Sequence, residues 1–149
     1  MLRKLYSDLR PYYRPLFAGF VLIFIGTFIF AEYSLSIRVP QSDKLLHILG
    51  GVIAAWLVYI HYRHIHVHLE LPHLRLLIVA GVALIGVVWE FAEYLSGNYG
   101  GLLFSLLQKY FYGGDLTDTL GDLAADLLGA FIFVLVVGLY RKRKKSLTE

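Results

Sequence analysis

The sequence has no cysteine, so a disulfide framework and a thiolate metal site are both excluded, and the redox compartment leaves no trace in it. Charge is also scarce. Only 17% of the 149 residues are charged against 58% hydrophobic, and the mean hydropathy is +0.63. A soluble chain of this size carries more charge, so the composition indicates a polytopic membrane protein. Neither an aromatic stacking platform nor a nucleic-acid motif is present, and the basic residues cluster beside apolar stretches. That placement points to phospholipid surfaces and away from nucleic acid. No H-E-x-x-H element occurs, so any metal ligands must converge from separate helices.

The most informative stretch is GGDLTDTLGDLAADLLG, residues 113–129. Asp118, Asp122 and Asp126 recur every four residues there, which on a helix makes one column of carboxylates. Gly121, Ala125 and Gly129 form an adjoining column of small residues, roughly 100° round the helix, suited to close packing. The following residues, Leu127 to Tyr140, carry no charge. A span that begins acidic and continues as hydrocarbon surface turns its carboxylates into a bundle. Such groups cost about 2.5–3.5 kcal/mol each on insertion scales and are usually retained for function.

Taken in order, residues 1–14 place Leu2, Leu5, Tyr6 and Leu9 on one helical face, which predicts a short interfacial helix broken by Pro11 and Pro15. The predicted spans are residues 16–34, 43–62, 76–95 and 116–140, followed by a basic cytoplasmic tail at 141–149. A cleavable signal peptide is the competing reading of the first, but the apolar run is too long for it. Ser42 or Asp43 would cap the second span. On that span His47 stands one turn above Asp43 and shares a face with Gly51 and Ala55. The segment HYRHIHVHLELPHLR, residues 61–75, holds five of the six histidines, with Pro72 expected to end any helix entering it. It reads either as a metal-binding tract or as amphipathic imidazoles at a lipid interface. Residues 96–114 are bracketed by glycines and are too short to span, which predicts an interfacial or re-entrant helix.

The fold expected is therefore all-α, a single domain of four transmembrane helices with two interfacial helices. With both termini cytoplasmic, eleven basic residues lie inside, and only Arg38, Lys44 and Lys109 lie outside. That satisfies the positive-inside rule for the cytoplasmic (inner) membrane. Glu32, Asp43, His47, Glu90, Glu93 and the Asp115 to Asp126 series then all fall in the extracytoplasmic half. Asp126 lies deepest, roughly 12 Å below Asp118 at a helical rise of about 1.5 Å per residue.

Several carboxylates in a low-dielectric pocket need a counter-charge or protons. One imidazole among carboxylates suits a divalent Mg, Mn, Zn or Ca ion. The expected ligands are His47, Glu90, Asp118 and Asp122, of which His47, Glu90 and Asp122 would also be catalytic. Asp43, Lys44, Glu93 and Asp126 would surround them, handle protons or substitute as ligands. Plainer roles compete. Asp43 can be a helix N-cap, Asp115 a favourable charge at a helix N-terminus, and Lys44 or Arg38 can neutralise a carboxylate as a salt bridge in place of a metal.

Three motifs, D-K-x-x-H-x-x-x-G from Asp43, W-E-x-x-E from Trp89 and D-T-x-x-D-x-x-x-D-x-x-G from Asp118, together resemble VanZ-like membrane proteins and, more closely, the YjdF-like inner-membrane group. The resemblance covers roughly residues 43–130. It implies a role for Asp43, Lys44, His47, Glu90, Glu93, Asp118, Asp122 and Asp126 but supplies no reaction. The glutamine and arginine pattern associated with VanZ is missing, so its link to glycopeptide resistance is not carried over.

Three functions follow as expectations. The first is a metal-assisted hydrolase or transferase acting on an envelope lipid or lipid-linked phosphate. The second is a cation or proton carrier, against which stands the lack of an inverted repeat or of a second site near the cytoplasmic face. The third is a non-catalytic structural or assembly protein whose acidic cluster holds the bundle together.

Overall fold

All regular structure among the described residues is helical. The computed structural model describes residues 8–33, 42–64, 70–98 and 115–147, with the backbone alone for 25, 27–33, 64, 96–98 and 144–145. A 3-10 turn, Arg10–Tyr12, leads into α1 (Tyr13–Tyr33). It is followed by α2 (Ser42–His64), α3 (Leu71–Asn98) and α4 (Leu116–Ser146). Three stretches are long and apolar enough to cross a membrane: Ser42–Arg63, Leu71–Leu95 and Leu116–Arg143. In hydrocarbon each backbone N–H and C=O must find its partner within the segment, which leaves the helix as the available form. The outward faces fit that solvent, since Phe17, Phe20, Leu84, Phe91, Leu135 and Leu139 are all exposed.

Consecutive helices run antiparallel. Gly26 of α1 faces Leu46 of α2 while Gly19 faces Ile53, and Gly81 of α3 faces Val58. On α4, Asp126 meets Gly86 and Gly138 meets Arg75, so α3 and α4 are antiparallel as well. Helices α2 and α4 are therefore parallel, and theirs is the most extensive contact among the described helices. Two glycines set its closeness. A Cβ on Gly51 would overlap the backbone carbonyl of Asp126, and one on Gly129 would overlap that of Ile48. Backbone-to-backbone approach of this kind is how membrane helices associate without a hydrophobic driving force. The small-residue column expected on α4 lies at this contact: Gly121 faces the Lys44 stem, Ala125 is buried, and Gly129 touches α2. Below it Ala55, Leu74, Ile78, Val82, Ala130 and Val134 form the core between α2, α3 and α4.

Several local expectations are corrected. Pro15 does not break the first helix. It sits in the first turn of α1, where its missing N–H has no carbonyl to meet, and it is fully buried. Pro72 likewise opens α3, which begins at Leu71, five residues before the predicted start at Leu76. The basic residues from Arg141 onward continue α4 as helix to Ser146. Asp115 caps α4, its Oδ1 accepting from the Asp118 N–H at 3.0 Å. The Ser42 hydroxyl, expected as a cap of α2, is buried and takes no hydrogen bond among the described residues. Most of the predicted N-terminal interfacial helix and of the segment at 96–114 lies outside the described residues.

Candidate cation site at the acidic end of the bundle

The start of α2, the end of α3 and the start of α4 meet at one end of the bundle. Lys44 reaches from α2 to the carboxylate column of α4. Its Nζ lies 2.5 Å from Asp118 Oδ1, 2.7 Å from Asp122 Oδ1 and 3.3 Å from the Asp118 carbonyl. An ammonium has three protons, and those are three acceptors. Asp43 stands at its other side, 3.7 Å away. Gly121 leaves room for the lysine stem, since a Cβ there would come 3.2 Å from Lys44 Cε.

His47, one turn further along α2, bridges the next two carboxylates. Its Nε2 is 3.5 Å from Asp122 Oδ1 and its Nδ1 is 3.4 Å from Asp126 Oδ1. Asp122 and Asp126, at 2% and 8% relative exposure, are the buried charged residues among those described. The i, i+4 column thus faces inward, as its spacing predicts. Asp126 is wedged deepest, between Gly51 of α2 and Gly86 of α3. A Cβ on Gly86 would stand 2.7 Å from its Oδ2.

From α3, Glu90 comes within hydrogen-bonding reach of Thr119 and within electrostatic reach of His47, Asp122 and Asp126. Its Oε1 is buried and has no hydrogen-bond partner among the described residues. Glu93 accepts from Trp89 Nε1 at 2.8 Å on the same helix. Glu32 belongs to α1, with its side chain outside the description. Of the predicted ligands, then, His47 and Asp122 converge, Asp118 is held by Lys44, and Glu90 approaches from the α3 side.

The metal-like grouping among the described residues keeps His47 and Asp122 of the expected set, takes in Asp43, and leaves out Glu90 and Asp118. Ligand atoms of Asp43, His47 and Asp122 all lie within 4.8 Å of one another. Asp43 enters because one helical turn separates it from His47, a spacing visible in the sequence. Thr119 was not singled out there. Its signal was the position between Asp118 and Leu120, on the flank of the acidic column. Of the histidine tract, His61 and His73 have partners away from the site. His61 Nδ1 is 3.1 Å from the Tyr12 hydroxyl, and His73 is 3.9 Å from Glu70 on an exposed surface. His66 and His68 lie outside the described residues.

Comparison with curated proteins and with solved structures yields no match. Residues 7–143 match the family described as "Predicted membrane protein (DUF2238)", a match that contains α1 to α3, all but the last three residues of α4, and the whole acidic end. The chain belongs to that family of integral membrane proteins.

Proposed function

We propose that the protein binds a divalent cation through Asp43, His47 and Asp122, and that the ion serves hydrolysis or transfer at the phosphate of an envelope lipid or lipid-linked substrate. The observation that carries this reading is the convergence of one imidazole and two carboxylates within 4.8 Å. Charge supports it. Among the described residues Asp43, Glu90, Glu93, Asp118, Asp122 and Asp126 face the two cationic groups Lys44 and His47, so negative charge exceeds positive there whichever state the imidazole holds. A half-buried excess of carboxylates is relieved by protons or by a hard or borderline cation. A bound ion of this kind polarises a phosphoryl oxygen and lowers the pKa of water. Glu90, with a buried unpartnered oxygen beside the cluster, is the group suited to take the proton.

The reading extends to topology. With α1 as a fourth span and the positive-inside rule obeyed, the acidic end faces out of the cytoplasmic membrane and both termini face in. The YjdF-like resemblance is compatible with the family match and adds no reaction.

Elemental analysis of the purified protein is the test. Near-stoichiometric divalent metal is expected, falling at least about tenfold in His47→Gln and Asp122→Asn, in keeping with the loss of a ligand from a three-ligand site. Equal content in all three proteins would remove the ligand set. A second reading has its own observation, the Lys44 ammonium seated between Asp118 and Asp122. It makes the cluster an internally neutralised core that holds α2 to α4. Metal-free protein in every preparation, with the bundle intact, would favour it.

A further inference from the structure

At the end of the bundle opposite the acidic cluster, arginines gather without an acidic partner among the described residues. Arg141 of α4 donates to the Tyr59 hydroxyl at 3.1 Å, and Arg63 donates to the same oxygen at 3.4 Å. Both guanidinium groups also lie over the Tyr59 ring, 5.5 and 5.7 Å from its centroid. Tyr59 is itself fixed edge-on against Phe133, 5.7 Å between centroids. Arg75 comes from α3 and passes so close to α4 that a Cβ on Gly138 would stand 2.9 Å from its Nη2. Arg75, Arg141 and Tyr59 line a narrow crevice, open at its mouth, whose remaining wall is apolar and includes Leu71, Ile78 and Val137.

The partners of these cations are neutral. No carboxylate among the described residues lies within 4 Å of Arg63, Arg75 or Arg141. Of the acidic residues described, Asp8 and Glu70 are the ones that fall on this half of the chain's path. The tyrosine hydroxyl and ring orient two guanidiniums, but they leave most of the ten N–H donors on that pair unused. Like charges held together this way are stabilised by an anion, and the planar fork of arginine matches a phosphate with two parallel hydrogen bonds.

We propose that this crevice seats the headgroup phosphate of an anionic phospholipid, held by Arg75 and Arg141 beside Tyr59. The lipid is favoured over free phosphate by the walls. The crevice opens between segments apolar enough to cross a membrane, and Leu71, which lines it, is exposed. A glycerophospholipid covers those surfaces with its acyl chains while its phosphate reaches the guanidiniums. Inorganic phosphate would leave them bare. Basic pockets between membrane helices bind anionic headgroups by this combination.

The test is native mass spectrometry of the full chain in detergent, titrated with phosphatidylglycerol, with phosphatidylcholine of the same chains, and with inorganic phosphate. Wild type is expected to bind phosphatidylglycerol about tenfold more tightly than phosphatidylcholine, and Arg75→Gln with Arg141→Gln to abolish that preference. Arg143→Gln, which removes an exposed charge outside the crevice, should change it by less than about twofold. Arg75→Lys with Arg141→Lys keeps the charges and the fold but loses the fork, and should lose most of the preference. Equal binding of the two lipids would overturn the proposal. So would inorganic phosphate displacing phosphatidylglycerol at similar concentration, or Arg143→Gln doing as much harm as the crevice pair.

Discussion

Replacing Lys44 by methionine removes the cation shared by Asp118 and Asp122 while keeping most of the stem that packs over Gly121. At 2.7 Å from Asp122, and with the effective dielectric constant of about 20 that suits protein sites, the gross attraction is about 6 kcal/mol. Desolvation offsets much of it. Taking one partner from a buried pair nonetheless costs about 3–5 kcal/mol, because the other charge is left behind. The Lys44 side chain is 27% exposed and that of Asp118 36%, so the lower end applies, about 3 kcal/mol. Adding Asp122→Asn to Lys44→Met removes the stranded charge and should return about 2 kcal/mol, a coupling of the size seen for residues in one charge network. Titrating the protein in mixed micelles with a denaturing detergent, and following helix content by circular dichroism, measures all four corners of the cycle. A Lys44→Met variant within about 0.5 kcal/mol of wild type, or two substitutions whose costs simply add, would refute the ion-pair geometry.

The α2–α4 crossing makes a second set of predictions. Gly51→Leu and Gly129→Leu each drive a side chain into backbone and should cost at least about 3 kcal/mol in the same titration. Gly19→Ala, whose new methyl would meet Ile53 at an ordinary 3.7 Å, should be neutral or stabilising by up to about 1 kcal/mol. Asp115→Ala removes the cap of α4 and should cost about 1 kcal/mol, with earlier amide exchange at residues 116–119 by mass spectrometry. Asp115→Ser, which can cap in its place, should restore most of that loss.

Periodicity and charge made the main features legible. The four-residue spacing of Asp118, Asp122 and Asp126 gave both the helix and its inward face. The one-turn separation of Asp43 and His47 put them on a common side of α2, and Gly121, Ala125 and Gly129 identified the packing stripe. The pairings between helices were not legible, because they depend on which rotamer spans the gap. Lys44 could be counted as a counter-charge, but that it would join Asp118 to Asp122 follows from the room over Gly121. Proline misled in two places for one reason: a missing N–H is harmless in the first turn of a helix, so Pro15 and Pro72 stand at beginnings and not at ends. The basic residues served in the sequence only to orient the chain. The convergence of Arg63 and Arg141 on Tyr59 needed the parallel placement of α2 and α4, and the approach of Arg75 needed α3 to run antiparallel to α4.

The most direct measurement is pulsed electron paramagnetic resonance of the purified protein loaded with Mn(II). If Asp43, His47 and Asp122 hold the ion, the echo modulation will carry a directly coordinated imidazole nitrogen that vanishes in His47→Gln and persists in His61→Gln. A spectrum without nitrogen coupling, or one unchanged by His47→Gln, would contradict the site.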